Sequence, residues 1–150
     1  MSRQKTKTCV ARENGRECIV TVSGSRRPDK IHIDAMPFTK LLKRRCDYAI
    51  QVFSETPQRA FFFVELKGGH VEKAAKQLLY TIEHLNEYKD LLDYIPYDKR
   101  YACIVASCMP PTTQVKAVLE KIKARNFVVY RKSRQLSIVV AEDGSAKTLN

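Results

Sequence analysis

Acidic residues are scarce in this chain: 16 Asp and Glu stand against 27 Lys and Arg, for a formal charge of +11. Such a surplus suits a polyanionic partner, either nucleic acid or an anionic membrane. No apolar run approaches the roughly 18 residues of a membrane span. A basic helix with a bulky apolar face is missing too, so nucleic acid is the expected polyanion and no membrane is expected. A merely soluble basic surface is the plainer alternative. Met1 to Lys7 carries basic residues with no apolar stretch behind them, so a secretory signal is not expected. The five cysteines (Cys9, Cys18, Cys46, Cys103, Cys108) form no Cys-x-x-Cys pair and are odd in number. They read as reduced thiols of a cytoplasmic protein rather than as a disulfide framework or a zinc site. There is no P-loop, no Gly-x-Gly-x-x-Gly and no nucleophile motif around a serine or cysteine, which disfavours those catalytic classes. Nor does an internal repeat or linker divide the 150 residues, so one domain is expected, with about 1–12 and 142–150 as flexible tails.

What is present is a series of apolar patterns separated by turn residues. Glu17 to Val22 is β-branched and strand-like, and Lys30 to Asp34 alternates polar and apolar as a half-buried strand does. Pro37 to Arg45 reads as a short helix opened by proline, made very basic by Lys40, Lys43, Arg44 and Arg45. Val71, Ala75, Leu78, Ile82, Leu85 and Leu92 recur at helical spacing and predict an amphipathic helix from about His70 to Tyr94, stopped by Pro96. Arg100 to Ser107 is a nearly continuous apolar run, the mark of a buried strand reached by a crossover. A second helix after Pro110–Pro111 buries Val115, Val118, Leu119 and Ile122. Strands at Phe127–Tyr130 and Leu136–Val140 follow, separated by a basic loop, Arg131 to Gln135. The fold class expected is α/β, a mixed central β-sheet flanked by helices.

The most informative stretch is Cys46 to Phe53, a polar turn with Pro57, and Phe61 to Gly69. It predicts two strands joined as a hairpin. Alternation places Phe61, Phe63, Glu65 and Lys67 on one face and Phe62, Val64 and Leu66 on the other. An even register sets Asp47 opposite Glu65 or Lys67, gathering two carboxylates and an ammonium at the end of an apolar hairpin, an arrangement costly without a purpose. The structural alternative is a salt-bridged Glu65–Lys67 pair beside a turn residue, Asp47.

An Asp followed, a strand and a turn later, by Glu-x-Lys after an apolar run resembles the PD-(D/E)xK nuclease superfamily, whose fold is restriction-endonuclease-like. The matching residues are Asp47, Glu65 and Lys67, and Gln77 and Tyr80 resemble the Gln-x-x-Tyr helix feature of some members. The likeness is close over about residues 46–80, and the order strand-strand-helix-strand agrees with the nuclease core. It implies a metal-dependent nuclease hydrolysing DNA phosphodiester bonds, endo- or exo-acting, with catalytic residues Asp47, Glu65, Lys67 and Gln77. Mg2+, or Mn2+ in its place, is then held by Asp47, Glu65 and the carbonyl of Leu66. Arg26, Arg27, Lys40, Lys43, Arg44, Lys73, Tyr80, Arg131, Lys132 and Arg134 are the expected nucleic-acid-binding residues, through backbone contacts that carry no sequence preference. The chain departs from many members in having no acidic residue in the 37–45 helix; Glu13, Glu17 and Asp34 are the candidates to replace it. Without a recognition domain, structure-selective cutting or recruitment by a protein partner is expected, and homodimers are common in the superfamily. RNA remains the alternative substrate, though no recognised RNA-binding motif is present. A non-catalytic module of the same fold, binding nucleic acid or protein, is the competing class.

Overall fold

The computed structural model describes residues 6–23, 27–33, 47–53, 60–67, 71–84, 99–106, 113–141 and 145–149, with the backbone alone for Thr6, Ser23, Phe53 and Lys67. It is an α/β structure of two mixed sheets and, among the described residues, two helices. The strands are β1 (Thr6–Glu13), β2 (Arg16–Ser23), β3 (Arg27–His32), β4 (Tyr48–Phe53), β5 (Ala60–Lys67), β6 (Lys99–Ala106), β7 (Val128–Ser133), β8 (Gln135–Val140) and β9 (Ala146–Thr148). The helices are α1 (Val71–Glu83) and α2 (Thr113–Lys123).

The larger sheet has the order β3-β4-β5-β6-β7. Its first three strands form an antiparallel meander, and β5, β6 and β7 run parallel, linked through α1 and α2. Parallel neighbours need such crossovers, because a tight turn can only reverse the chain. Both helices cover the same face. Val71, Ala74, Ala75, Leu78 and Ile82 of α1 and Val115, Val118, Leu119 and Ile122 of α2 close over Ala49, Phe61, Phe63, Ala102 and Ile104.

The opposite face is just as apolar, since Ile50, Val52, Phe62, Val64, Leu66, Cys103 and Val105 alternate with the first set. A second sheet, β1-β2-β8-β9, covers it with Cys18, Val20, Val22, Leu136, Ile138 and Val140. The expected sheet flanked by helices is therefore corrected to helices on one face and a sheet on the other. Phe62 and Phe63, adjacent in sequence, are fully buried in different layers. Burying each such side chain is worth about 1.5–3 kcal/mol.

Three further expectations change. Residues 6–13, expected to be loose, form β1, because Asn14 (φ 50) and Gly15 (φ 78) reverse the chain and pair it along the whole of β2. An Asn-Gly pair with both φ positive is the turn whose twist matches a two-residue hairpin. The C-terminal stretch is likewise not all tail, since β9 pairs with β8. The basic loop expected at 131–135 does not exist as a loop. Arg131 to Ser133 continue β7 alongside β6, and Arg134 (φ 66) alone carries the chain into β8 of the other sheet. The expected 37–45 helix, Pro96 and the helical residues beyond 84 lie outside the described residues.

Polar groups of the large sheet cap both edges of the small one. At β1, Lys30 Nζ donates to the Val10 carbonyl at 2.9 Å and the Tyr48 hydroxyl to the Arg12 carbonyl at 3.5 Å. At β9, the Tyr130 hydroxyl donates to the Ala146 carbonyl at 3.1 Å while Tyr101 Oη accepts the Ala146 amide at 3.0 Å. These contacts occupy edge groups that would otherwise template pairing with another chain.

Candidate active site

The β4–β5 register is even, pairing Tyr48 with Val64 and Ala49 with Phe63. One step further, Asp47 stands across from Glu65. The two strands are laced there through side chains. The Asp47 amide donates to Glu65 Oε2 at 3.1 Å, and the Leu66 amide donates to Asp47 Oδ2 at 2.8 Å. Asp47 is 4% exposed and Glu65 fully buried, the only ionisable carboxylates buried among the described residues. Burying two carboxylates is costly unless charged or polar partners compensate, and the two amide hydrogen bonds supply part of that compensation. Leu66 itself faces the small sheet.

Lys67 is the last residue of β5, and its backbone pairs with Ala106 at the end of β6. Ala106 pairs in turn with Ser133 at the end of β7. The carboxyl ends of the three parallel strands thus share one end of the sheet with Asp47 and Glu65. In chain order α1 follows β5 and α2 follows β6. Open α/β sheets bind ligands at this end.

The other expected residues divide by position. Lys73 is exposed in the first turn of α1. Gln77 is half-buried, with Oε1 inside the protein, and starts about 9 Å along the helix from Val71. Its carbonyl accepts the Thr81 hydroxyl at 2.9 Å. Tyr80 lies farther from the carboxylate end and stacks on His84 at 4.0 Å, while the Tyr80 carbonyl is 2.8 Å from His84 Nδ1. Arg131 and Arg134 are exposed and Lys132 half-buried, all at the carboxylate end. Arg27 pairs with Phe53, the residue of β4 most distant from Asp47, so it stands at the opposite end. Arg26, Lys40, Lys43, Arg44 and Asp34 lie outside the described residues.

No protein-family model, curated protein or solved structure matches this chain.

Of the acidic candidates outside the hairpin, Glu17 is already engaged. Arg12 binds it at 2.8 Å and Gln135 donates to it, and these two bonds hold its carboxyl below the usual range. Among the described residues, no three His, Cys, Asp or Glu side chains converge as a metal group. The two carboxylates of Asp47 and Glu65 offer only oxygen donors. They suit a hard cation such as magnesium, which is commonly held by one or two carboxylates with water and substrate phosphate completing the shell.

Sequence reasoning missed the N-terminal hairpin and with it the placement of Arg12 and Arg16. The signal was present, since Asn-Gly between β-branched stretches is a strong short-range hairpin mark. His32, at the end of β3, stacks at 4.4 Å on Tyr48, the chain neighbour of Asp47. No helix among the described residues is long and apolar enough to cross a membrane. Cys9, Cys18 and Cys103 are free thiols, and Cys18 and Cys103 are both buried between the sheets.

Proposed function

We propose that this chain is a magnesium-dependent nuclease that hydrolyses DNA phosphodiester bonds, built on a restriction-endonuclease-like core of the PD-(D/E)xK type. The observation that carries the reading is the Asp47–Glu65 pair, two buried carboxylates joined through main-chain amides at the carboxyl end of β5. The succession β4, β5, α1, β6, with the last two strands parallel, supports it. So does the formal charge of +11.

In this reading Asp47, Glu65 and the Leu66 carbonyl hold the cation. Magnesium bound there supplies Lewis-acid polarisation of the phosphate and lowers the pKa of water. Asp47 and Glu65 are tethered to the backbone, so they keep their positions as charge builds on the substrate; such preorganisation costs no rearrangement during reaction. Lys67, two residues beyond Glu65, contributes an ammonium to the charge developing on the nonbridging oxygens. Gln77 helps to position the attacking water from α1. The oxygen of water forms a bond to phosphorus as one of its protons passes to solvent, the bond to the leaving sugar oxygen breaks, and that oxygen takes up a proton from solvent. The specificity proposed is for DNA shape or comes from a recruiting partner.

The same hydrogen bonds also fit a non-catalytic module in which the two carboxylates merely latch β4 to β5. Labelled single-stranded, duplex and branched DNA, incubated with magnesium, manganese or chelator, separates the two. The expected result is metal-dependent cutting that Glu65→Gln and Lys67→Met both abolish while remaining folded. Binding without cutting in wild type and both variants would overturn the catalytic reading.

A further inference from the structure

The carboxylate end of the molecule includes part of the small sheet. The Glu17 amide donates to the Arg134 carbonyl at 3.0 Å, and the Arg134 amide donates to the Ala106 carbonyl at 3.2 Å. The Tyr48 hydroxyl, one residue from Asp47, reaches the Arg12 carbonyl. The Asn14–Gly15 turn therefore stands at the same end as Asp47 and Glu65, one sheet spacing of about 10 Å away.

Basic side chains border the carboxylates on both sides of the large sheet. Register places Glu65, Ile104 and Arg131 in one row across β5, β6 and β7, so Arg131 is two strand spacings, about 10 Å, from Glu65. Val129 packs against the helix-side core, and Arg131 shares its face. Tyr130 packs on the small-sheet side, and Lys132 shares that face. There it joins the end of the sandwich that carries Arg134 and Arg12, whose side chain is 68% exposed. A lone anion has no use for cations spread this widely. A sugar–phosphate chain, with charges repeating along its length, does.

We infer that the β1–β2 turn and the β7–β8 junction form the docking surface for the DNA backbone flanking the cleaved bond, with Arg12, Arg131, Lys132 and Arg134 contacting successive phosphates. The inference rests on the nuclease reading for its substrate, but it concerns binding and is tested without turnover.

Fluorescence anisotropy of labelled duplex and branched DNA in chelator would compare wild type with Arg12→Gln, Arg131→Gln and Arg134→Gln. Lys7→Gln and Lys99→Gln, exposed at the other end of the sandwich, are the controls. Each site-end change should weaken binding about 5- to 10-fold at about 0.1 M salt and lower the salt slope by about 1, as loss of one phosphate contact requires. The controls should stay within about twofold of wild type. Equal losses at both ends, wild-type affinity in all three site-end variants, or no DNA binding by wild type would each overturn the inference. Site-end losses in a protein that cuts no DNA would uphold the surface while removing the nuclease reading.

Discussion

Asp47 and Glu65 fasten each other's strands: the Asp47 amide donates to the Glu65 carboxylate, and the Asp47 carboxylate accepts the amide of Leu66, the residue after Glu65. The exchange fixes the spacing of the two carboxyl groups through the main chain. It also means that either side chain is both a structural tie and a candidate ligand. Isosteric amides separate those roles, because they keep an acceptor oxygen and lose the charge.

Glu65→Gln should therefore stay folded while Glu65→Ala should not fare as well. The alanine leaves the buried Asp47 amide without this acceptor, a loss worth about 1–3 kcal/mol. Urea unfolding of both variants checks it. A glutamine variant as unstable as the alanine would show that the charge itself, not the hydrogen bond, holds the strands.

Metal should stabilise wild type and spare the variants. At a tenfold excess over its dissociation constant, a ligand of the folded state adds ~1.4 kcal/mol. Thermal unfolding with and without magnesium or manganese should show a rise in Tm for wild type and none for Asp47→Asn or Glu65→Gln. An equal rise in all three would place the metal elsewhere.

The tyrosine caps on β9 should matter to stability and not to the candidate chemistry. Tyr101→Phe removes the acceptor of the Ala146 amide and Tyr130→Phe the donor to its carbonyl. Each should cost about 0.5–1.5 kcal/mol by denaturant midpoint, the net worth of a typical hydrogen bond.

The turn glycine should be sensitive. Gly15 has φ 78 with open space around its Cα, so alanine there meets no clash and is opposed by backbone conformation alone. Gly15→Ala should cost about 1–2 kcal/mol, and hydrogen exchange should quicken first in β1.

Cys103 should keep its proton far above the ordinary thiol range, because burial and then the neighbouring Cys18 thiol oppose the thiolate. The folded chain then holds a proton that the unfolded chain releases above roughly pH 8.5, the free thiol value. Stability from this group is present below that pH and declines as pH rises through the alkaline range. Iodoacetamide at pH 8.5 should label Cys103 in the unfolded chain and spare it in the native one, as mass spectrometry would show.

How much of this was legible beforehand varies with the range of the interaction that decides it. Phe61 to Leu66 disclosed both faces of β5 by strict alternation, and an even register left Asp47 opposite Glu65 or Lys67, between which the observed pairing selects Glu65. Val71 to Ile82 and Val115 to Ile122 disclosed their helices by spacing. Each of these depends on neighbours within one element or one turn. By contrast, β2 runs parallel to β8, pairing Cys18 with Leu136 far along the chain, and nothing local in either segment names the other.

The sequence alone thus determined the strands of the central hairpin, the two amphipathic helices and the facing of Asp47 and Glu65, because side-chain period and the exclusion of apolar groups from water act over a few residues. Only the tertiary structure decided that a second sheet covers the face opposite the helices, that Arg27 stands away from the carboxylates, and that Arg12 stands at their end of the sandwich. Those outcomes depend on which distant surfaces bury each other best, a comparison made only once the chain has closed on itself.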